Sequence, residues 1–261
     1  MKKLWSTRFA CALMAAAIIT GVSGCATGPE RKASDPLEPM NRAVFSFNES
    51  LDRHLAKPVA TGYTKVTPAP LRTAFSNFFS NLGDIGNFAN NLLQLNGTAA
   101  AEDLMRFTFN STFGLGGLLD WASAAGLPKH HQDFGLTLGH YGVPSGPYLV
   151  LPLFGPSSVR DASGWIFTSA LSPTTYLPVE AGVPLFGLNV VSARADMLGA
   201  TDLLEQAALD KYSFVRDGYI QRRAYLLNDG KALPSYEEPA DSGDDLTAQT
   251  LPGGGAALAP N

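Results

Sequence analysis

Four side chains near the middle of the chain could support metal binding or acid–base chemistry: His130, His131, Asp133 and His140. Their spacing matches no helical or hairpin pattern of metal ligands. Ser145 lies between Pro144 and Gly146 in a turn sequence, and the chain has no G-x-S-x-G motif that would expose a nucleophilic serine. We therefore predict no metal, no cofactor and no catalytic residue. A hydrolase that uses Asp133, His140 or Ser145 is the least favoured alternative.

Cys25 is the residue whose surroundings predict a specific modification. It follows Val22-Ser23-Gly24, and the apolar stretch over residues 11–20 lies between these small residues and a basic N-terminus. This order is typical of a secretory signal peptide. Small residues followed by Cys also resemble the lipobox of bacterial lipoproteins, in which the cysteine is acylated and becomes the new N-terminus. We predict a lipoprotein signal peptide over residues 1–24 and a lipid anchor at Cys25; an ordinary signal peptide with an incidental Cys is the alternative.

The remaining sequence divides into three parts. Residues 25–34 form a short polar tether, and residues 35–233 form the folded body. Residues 234–261 are rich in Pro, Gly and acidic residues, a composition that predicts a disordered tail. The chain has two cysteines, and one of them lies in the signal peptide, so no disulfide framework is expected.

Composition limits the partners. The formal net charge is −4 and no basic stripe is present, so nucleic acid is not an expected partner. Only 16% of the residues are charged and 15 are Phe, which predicts that some apolar surface meets lipid or another protein. No apolar run of about 18 residues follows the signal peptide, so we predict no conventional transmembrane helix.

Apolar periodicity predicts an all-α fold of about seven short helices. The first begins near Pro36 or Pro39 and ends at Lys57-Pro58, because the residue before proline is disfavoured in a helix. The second follows Pro70 and is interrupted at Gly83-Asp84; it carries an aromatic face opposite an asparagine-rich face. Such a helix suits a lipid headgroup boundary, and a core helix with a neutral outside is an equal alternative.

Later segments are less regular. Thr98 is the expected cap of a third helix, and residues 182–188 are expected to form an irregular join. Residues 126–157 are punctuated by Gly and Pro around the apolar run 148–154. A loop this apolar is either buried or inserted into apolar surroundings, and a re-entrant or pore-lining hairpin would satisfy its backbone.

Five segments together resemble the MlaA family of lipoproteins, also called VacJ, in that family's order: DPLEPMNRAVFSFN (35–48), SNFFSNLGDIGNFANNLLQ (76–94), NSTFGLGGLLD (110–120), DFGLTLGHYGVPSGPYLVLPLFGPSSVRD (133–161) and YSFVRDGYIQRRAYLLNDG (212–230). The resemblance implies a ring-like, membrane-embedded protein in the inner leaflet of the outer membrane, facing the periplasm. Such proteins take phospholipid that has strayed to the outer leaflet through an amphipathic channel to a periplasmic, MlaC-like carrier, and they associate with trimeric porins. The implied partners are therefore phospholipid, the outer membrane, a porin and that carrier.

The resemblance also implies site residues. The matching positions assign an irregular channel loop to residues 147–158 and the first helix of the ring to residues 41–48. The channel or lipid-path candidates are Tyr148, Leu149, Leu151, Phe154, Ser157, Arg160 and Asp161. The membrane-facing candidates are Phe45, Phe75, Phe78, Phe79 and Phe88.

These expectations favour a non-enzymatic lipoprotein that conducts phospholipid and maintains lipid asymmetry. A structural lipoprotein that binds a porin without conducting lipid is the second hypothesis, ahead of a lipid hydrolase. The first hypothesis predicts that function tolerates substitutions at His130 or His131. It also predicts that a charge at Leu149, Leu151 or Phe154 impairs function.

Overall fold

The computed structural model describes residues 35–228. The signal peptide, Cys25 with its tether and the acidic tail lie outside the described residues. Within residues 35–228, no helix combines the length and the hydropathy needed to cross a membrane.

Helices make up most of the described chain, which confirms the all-α class. In chain order the elements are α1 (Glu38–Leu51), a π-helical segment (Asp52–Ala56), α2 (Lys57–Val66), α3 (Ala69–Leu93), α4 (Gly97–Thr112), α5 (Trp121–Ala124), α6 (Phe134–His140), β1 (Tyr148–Leu151), β2 (Gly155–Ser158), α7 (Val159–Leu171), a 3₁₀ turn (Pro173–Tyr176), α8 (Val179–Asp196), α9 (Leu198–Ala207) and α10 (Lys211–Leu227).

The first helix does not end at Lys57-Pro58. Asp52–Ala56 adopt a π-helix, in which the Lys57 N–H bonds the Asp52 carbonyl, and α2 then continues with Pro58 in its first turn. Proline is tolerated there because a first-turn N–H has no helical partner. Arg194 donates two hydrogen bonds to the Asp52 carboxylate, from Nε at 2.6 Å and from Nη2 at 2.8 Å. This bidentate pair connects the π segment to α8.

The second predicted helix is uninterrupted, since α3 runs for 25 residues through Gly83 and Asp84. Its asparagine face points into the protein: Asn81, Asn87, Asn90 and Asn91 are all buried. The amides therefore face neither a headgroup layer nor the outside of the protein, because neighbouring segments supply hydrogen-bond partners for them.

Two further boundaries differ from the sequence patterns. Asn96, not Thr98, caps α4 by accepting the Ala99 N–H. Residues 182–188 form no irregular join, since they lie inside α8 with Pro184 in the helix. Proline there removes one backbone donor near the start of the helix, and the following turns continue regularly.

The apolar run 148–154 forms most of a two-stranded antiparallel hairpin. β1 pairs with β2 in the register Tyr148↔Ser158 to Leu151↔Gly155. Leu153 at the tip has a φ of 69°, in the left-handed region that favours glycine. The segment predicted as an irregular channel loop, residues 147–158, is thus a defined hairpin with a strained tip, and its role in a channel stays a prediction.

The contacting elements form a closed circuit, which gives the described chain a ring-like architecture. α1 packs on β1, β2 on α7, α7 on α6 and α6 on α3; α3 then packs on α8 and α8 on α2, which leads back through the π segment to α1. α4 packs along the side of α3, and α10 packs on α6 and β2.

Burial in this ring is inverted relative to an ordinary soluble domain. The buried apolar residues of the described chain are few and mostly small: Ala60, Ala99, Ala100, Ala122, Leu136, Tyr148, Val150 and Tyr212. Buried polar residues outnumber them and include fully buried Asn41, Asp84 and Arg106. Large apolar side chains lie outside instead, for example Ile166 at 74% exposure and Phe186 at 61%.

Candidate functional site

A cavity of about 400 Å³ lies between α3, the loop before α6, α7, the 3₁₀ turn and α8. We refer to it as the central cavity. It is lined by Phe79, Ser80, Leu82, Gly83, Gly86, Asn87, Lys129, His131, Gln132, Thr168, Leu171, Ser172, Thr174 and Asn189. Apolar side chains, neutral amides and hydroxyls alternate in this lining, and it contains no acidic side chain. Its volume is within the range of small-molecule sites, about 300–1,000 Å³.

Two glycines of α3 keep the central cavity wide. A Cβ atom built on Gly83 or Gly86 would meet no heavy atom within 4 Å. Packing therefore does not require glycine at either position, although each glycine costs a helix about 1 kcal/mol relative to alanine. The open space that they leave is part of the cavity.

A smaller cavity of about 240 Å³, the side cavity, lies between the hairpin, α7 and α10. It is lined by Asp133, Leu151, Phe154, Pro156, Ser157, Asp161, Trp165, Thr168, Tyr219 and Arg223. Thr168 lines both cavities, so they adjoin across α7. A third cavity of about 280 Å³ shares Phe79, Ser80 and Asn189 with the central cavity and reaches the cleft between α3 and α8. The central cavity therefore shares lining residues with each of the other two.

An ion cluster forms the polar wall of the side cavity. Asp161 accepts a hydrogen bond from the Tyr219 hydroxyl and lies 2.8 Å from Arg223 and 2.9 Å from Arg160. Burial alone would raise the pKa of Asp161, but the Tyr219 hydrogen bond and the two guanidinium groups outweigh it, and the pKa is lowered. Arg223 also pairs with Asp133, which caps α6. At neutral pH Asp161 is therefore an anchored carboxylate and no proton donor.

Two asparagines of α1 hold the hairpin. The Asn41 side chain donates to the Tyr148 carbonyl and accepts the Val150 N–H, both at 2.9 Å. Seven residues along the same helix face, Asn48 donates to the Leu151 carbonyl and accepts the Leu153 N–H. Each amide thus replaces the peptide of a neighbouring strand, and the free edge of β1 is bonded to α1 as far as the strained tip.

A buried ion network stands behind the central cavity. The Asp84 carboxylate is fully buried and accepts a hydrogen bond from Lys129, which also donates to the Ser80 carbonyl at 2.8 Å. Arg106 lies 3.6 Å from Asp84 and 3.2 Å from Asp120. Because one partner of such a network cannot be removed without leaving a buried charge, the network fixes α3, α4 and the loop before α6 together.

The structure brings several of the seven channel candidates together. Leu151, Phe154, Ser157 and Asp161 line the side cavity, and Arg160 lies behind Asp161. The other two do not line it: Tyr148 and Leu149. Tyr148 is buried against Tyr212, on the other face of β1, where burial raises its pKa to about 12. A role of all seven residues in a lipid path stays a prediction.

All five membrane-facing candidates are half-buried: Phe45, Phe75, Phe78, Phe79 and Phe88. Phe45 packs edge-to-face on Tyr212 at 5.7 Å between ring centroids, while Phe47 is the exposed phenylalanine of α1, at 54%. Phe79 lines the central cavity. Membrane contact by these rings stays a prediction, and apolar side chains more exposed than they are include Ile166 on α7 and Phe186 on α8.

Sequence reasoning missed several lining residues. Trp165 and Thr168 follow Asp161 at offsets of four and seven on α7, and Arg223 follows Tyr219 by four on α10. These spacings place each set on one helix face. Helical spacing from Asp161 and Tyr219 could therefore have identified these lining residues. The prediction used only the apolar hairpin segment and the residues directly after it.

The residues considered for catalysis or metal binding are engaged elsewhere. Among residues 35–228, no group of three or more His, Cys, Asp or Glu side chains could hold a metal ion. His130 bonds Asp103 at 2.9 Å and Asp133 bonds Arg223. In this part of the chain no hydrogen bond joins Asp133, His140 or Ser145 to one another.

The fold and its cavities define a class: a mainly helical ring with adjoining cavities of mixed apolar and polar lining and with large apolar side chains outside. Comparison with known proteins identifies the family. The model of the MlaA lipoprotein family matches residues 33–226. The chain belongs to the MlaA lipoprotein family.

Curated relatives and a solved structure agree with this assignment. The "Intermembrane phospholipid transport system lipoprotein MlaA" of Escherichia coli is 34% identical over 85% of this chain and 91% of its own length. The protein of the same name from Haemophilus influenzae is 34% identical over 88% and 94%. A solved structure from work on the "Structural basis for maintenance of bacterial outer membrane lipid asymmetry" is 36% identical with a TM-score of 0.66, covering 75% of this chain and all of that one.

Proposed function

We propose that this chain is a non-enzymatic lipoprotein of intermembrane phospholipid transport, and that single phospholipids pass through its adjoining cavities. The inversion of burial is the observation that carries the proposal. Polar side chains fill the interior, while large apolar side chains such as Ile166 and Phe186 face outwards. The names of its curated relatives, which place them in such a transport system, support it.

The physical reason is the amphipathic nature of the cargo. A phospholipid headgroup crosses hydrocarbon only at a cost of several kcal/mol unless polar groups replace its water. The central and side cavities offer amides, hydroxyls and ion pairs next to apolar rings such as Phe79 and Phe154. A headgroup and its acyl chains could therefore both find suitable surroundings along the same path.

The proposed location is the outer membrane, where the protein is embedded from its periplasmic side and anchored through Cys25. Side chains of Trp165, Ile166, Val183 and Phe186 are exposed on α7 and α8, and such surfaces are expected to meet lipid or a protein partner. We propose a trimeric porin as that partner, and a periplasmic MlaC-like carrier as the acceptor of lipid. The proposed cargo is phospholipid that has strayed to the outer leaflet.

The decisive experiment fills the central cavity without disturbing the ring. Gly83→Leu and Gly86→Leu place side chains into open space, and leucine is the better helix former, so folding should be preserved. In cells that lack the chromosomal gene, we expect these variants to leave phospholipid on the cell surface at the level of the deletion. Surface phospholipid and detergent sensitivity are the measurements.

Two matched controls make this test specific. Gly187 on α8 and Gly218 on α10 also have no atom near an added Cβ, but neither lines a cavity described above. Gly187→Leu and Gly218→Leu should therefore complement fully at equal protein level. Full complementation by the two filled variants would contradict conduction and favour the structural, porin-binding alternative. Release of fatty acid by the purified protein would instead favour the hydrolase.

A further inference from the structure

Lys129 is the lining residue of the central cavity whose side chain carries a full positive charge. Its ammonium group has three donors. Two of them are used by the Ser80 carbonyl and by Asp84. A third donor is left for a ligand, and the two existing bonds hold the ammonium group in place.

The rest of the lining offers neutral donors and no competing anion. The side chain of Asn189, on the opposite wall, forms no hydrogen bond with the other described residues, so its amide group is available to a ligand. Gln132, Ser172 and Thr174 add further polar groups along the lining. Asp84 is completely buried behind Lys129 and does not reach the lining, so no carboxylate in the lining competes with an anion for the third donor of Lys129.

His131 lines the same end of the cavity as Lys129. Burial lowers the pKa of its imidazole, and the charges of Arg222 and Lys129 lower it further, against the opposing charge of Asp84. A neutral imidazole next to Lys129 remains a hydrogen-bonding group that an anion can use.

We propose that the central cavity binds the phosphate group of one phospholipid, and that Lys129 donates to a phosphate oxygen. The inference rests on the proposed function and adds its recognition element. The site therefore binds lipids that carry a phosphate group more tightly than lipids without one. Because the lining has no carboxylate to bind an ammonium group, it does not select between headgroups that carry an amine and headgroups that carry an alcohol. Gly83 and Gly86 leave the space in which the headgroup lies.

The test uses the purified full chain in detergent and measures bound lipid by native mass spectrometry. Lys129→Met alone would strand the buried carboxylate of Asp84, so the test variant is Lys129→Met combined with Asp84→Asn. Asp84→Asn alone is the matched control, because it keeps the ammonium group. The probes are phosphatidylethanolamine, phosphatidylglycerol, diacylglycerol and inorganic phosphate.

We expect the wild type to bind the two phospholipids equally within about threefold, and diacylglycerol about tenfold more weakly or worse. The double variant should lose about tenfold in phospholipid affinity while diacylglycerol binding is unchanged, and Asp84→Asn should bind at least as well as the wild type.

Equal phospholipid affinity of a folded double variant would overturn the inference, and so would a strong preference for one headgroup. Binding of inorganic phosphate without phospholipid would also overturn it, since the site would then serve free phosphate. The cavity-filling experiment in cells remains independent: if Gly83→Leu blocks transport but the double variant binds normally, the transport proposal stands and the Lys129 assignment fails.

Discussion

α3 and α8 face each other across the central cavity, yet they are held in opposite ways. α3 buries five polar side chains, namely Asn81, Asp84, Asn87, Asn90 and Asn91. α8 buries only Ser192, and its outward side chains include Val183, Phe186 and Val190. The α3 wall is thus fixed by buried hydrogen bonds and ion pairs, whereas α8 has a more exposed ion pair, between Arg194 and Asp52, and an outward apolar face.

The difference shows how a helical ring can be held by buried polar side chains when its apolar core is small. Each buried amide of α3 has a partner, for example Asn91 with Asp103 at 2.7 Å and Asn90 with Thr137 at 2.9 Å. Hydrogen bonds of this kind specify a geometry, because losing them would leave further buried polar atoms unpaired besides the Oδ1 atoms of Asn81 and Asn91. Three predictions follow from this difference, two of them as matched substitutions on the α3 side and on α8, and all are measured by denaturant unfolding in one fixed detergent.

The largest effect is expected from removing an arginine on each side. Arg106→Met leaves Asp84 and Asp120 with less compensation in a buried site and should lower the free energy of unfolding by about 3–5 kcal/mol. Arg194→Met on α8 breaks the pair with Asp52, which is partly exposed, and should cost about 1 kcal/mol. Equal losses at the two positions would contradict the view that only the α3 wall is fixed by buried charges.

A smaller difference is expected from asparagine. Asn90→Ala removes the acceptor of the Thr137 hydroxyl and the donor to the Gly86 carbonyl, and it should cost about 2 kcal/mol. Asn189→Ala on α8 removes an exposed amide and should change stability by less than about 0.5 kcal/mol. A loss above 1 kcal/mol at Asn189 would show that the α8 wall is more tightly bonded than described.

The smallest effect concerns acid. Burial favours a raised pKa at Asp120, but hydrogen bonds from Ser123 and Asn110 and the charge of Arg106 lower it to about 2. Because the folded pKa is below the unfolded value near 3.9, this carboxylate stabilises the fold above about pH 4, and the contribution is lost as pH falls towards 2. Asp120→Asn should therefore flatten the loss of stability between these pH values. If Asp120→Asn left the pH dependence of the free energy of unfolding unchanged, Asp120 would not belong to the ion network on the α3 side.

The sequence predicted much of the helical architecture, and the reasons for its limits are physical. The helical periodicity of the sequence predicted an aromatic face and an asparagine-rich face on α3. It could not show which of the two faces the interior of the protein. Amides suit water, headgroups or a buried network equally, and the choice depends on partners such as Asp103 and Thr137 that lie far away in sequence. The interruption at Gly83 was wrong because tertiary hydrogen bonds outweigh the low helix propensity of one glycine.

The hairpin illustrates a similar limit for the candidate site. The apolar run 148–154 predicted an inserted or pore-lining segment, and it includes the side-cavity residues Leu151 and Phe154. No local pattern could show that Asn41 and Asn48 would bond to its edge, since these contacts span more than 100 residues. The same limit explains the wrong predictions of a helix end at Pro58 and of an irregular join around Pro184. Proline removes one backbone N–H donor, but the hydrogen bonds of the neighbouring turns decide whether the helix ends there.

The closed circuit of helices has a consequence for synthesis. Asp35 meets the Tyr212 hydroxyl 177 residues later, and Arg42 pairs with Asp210 at a separation of 168 residues. The first helix to be made therefore finds some of its partners only when the last helix of residues 35–228 has been made. A chain that stops before residue 210 leaves Asp35 and Arg42 without these bonds. The start of α1 is thus fully bonded only after the start of α10 has been synthesised.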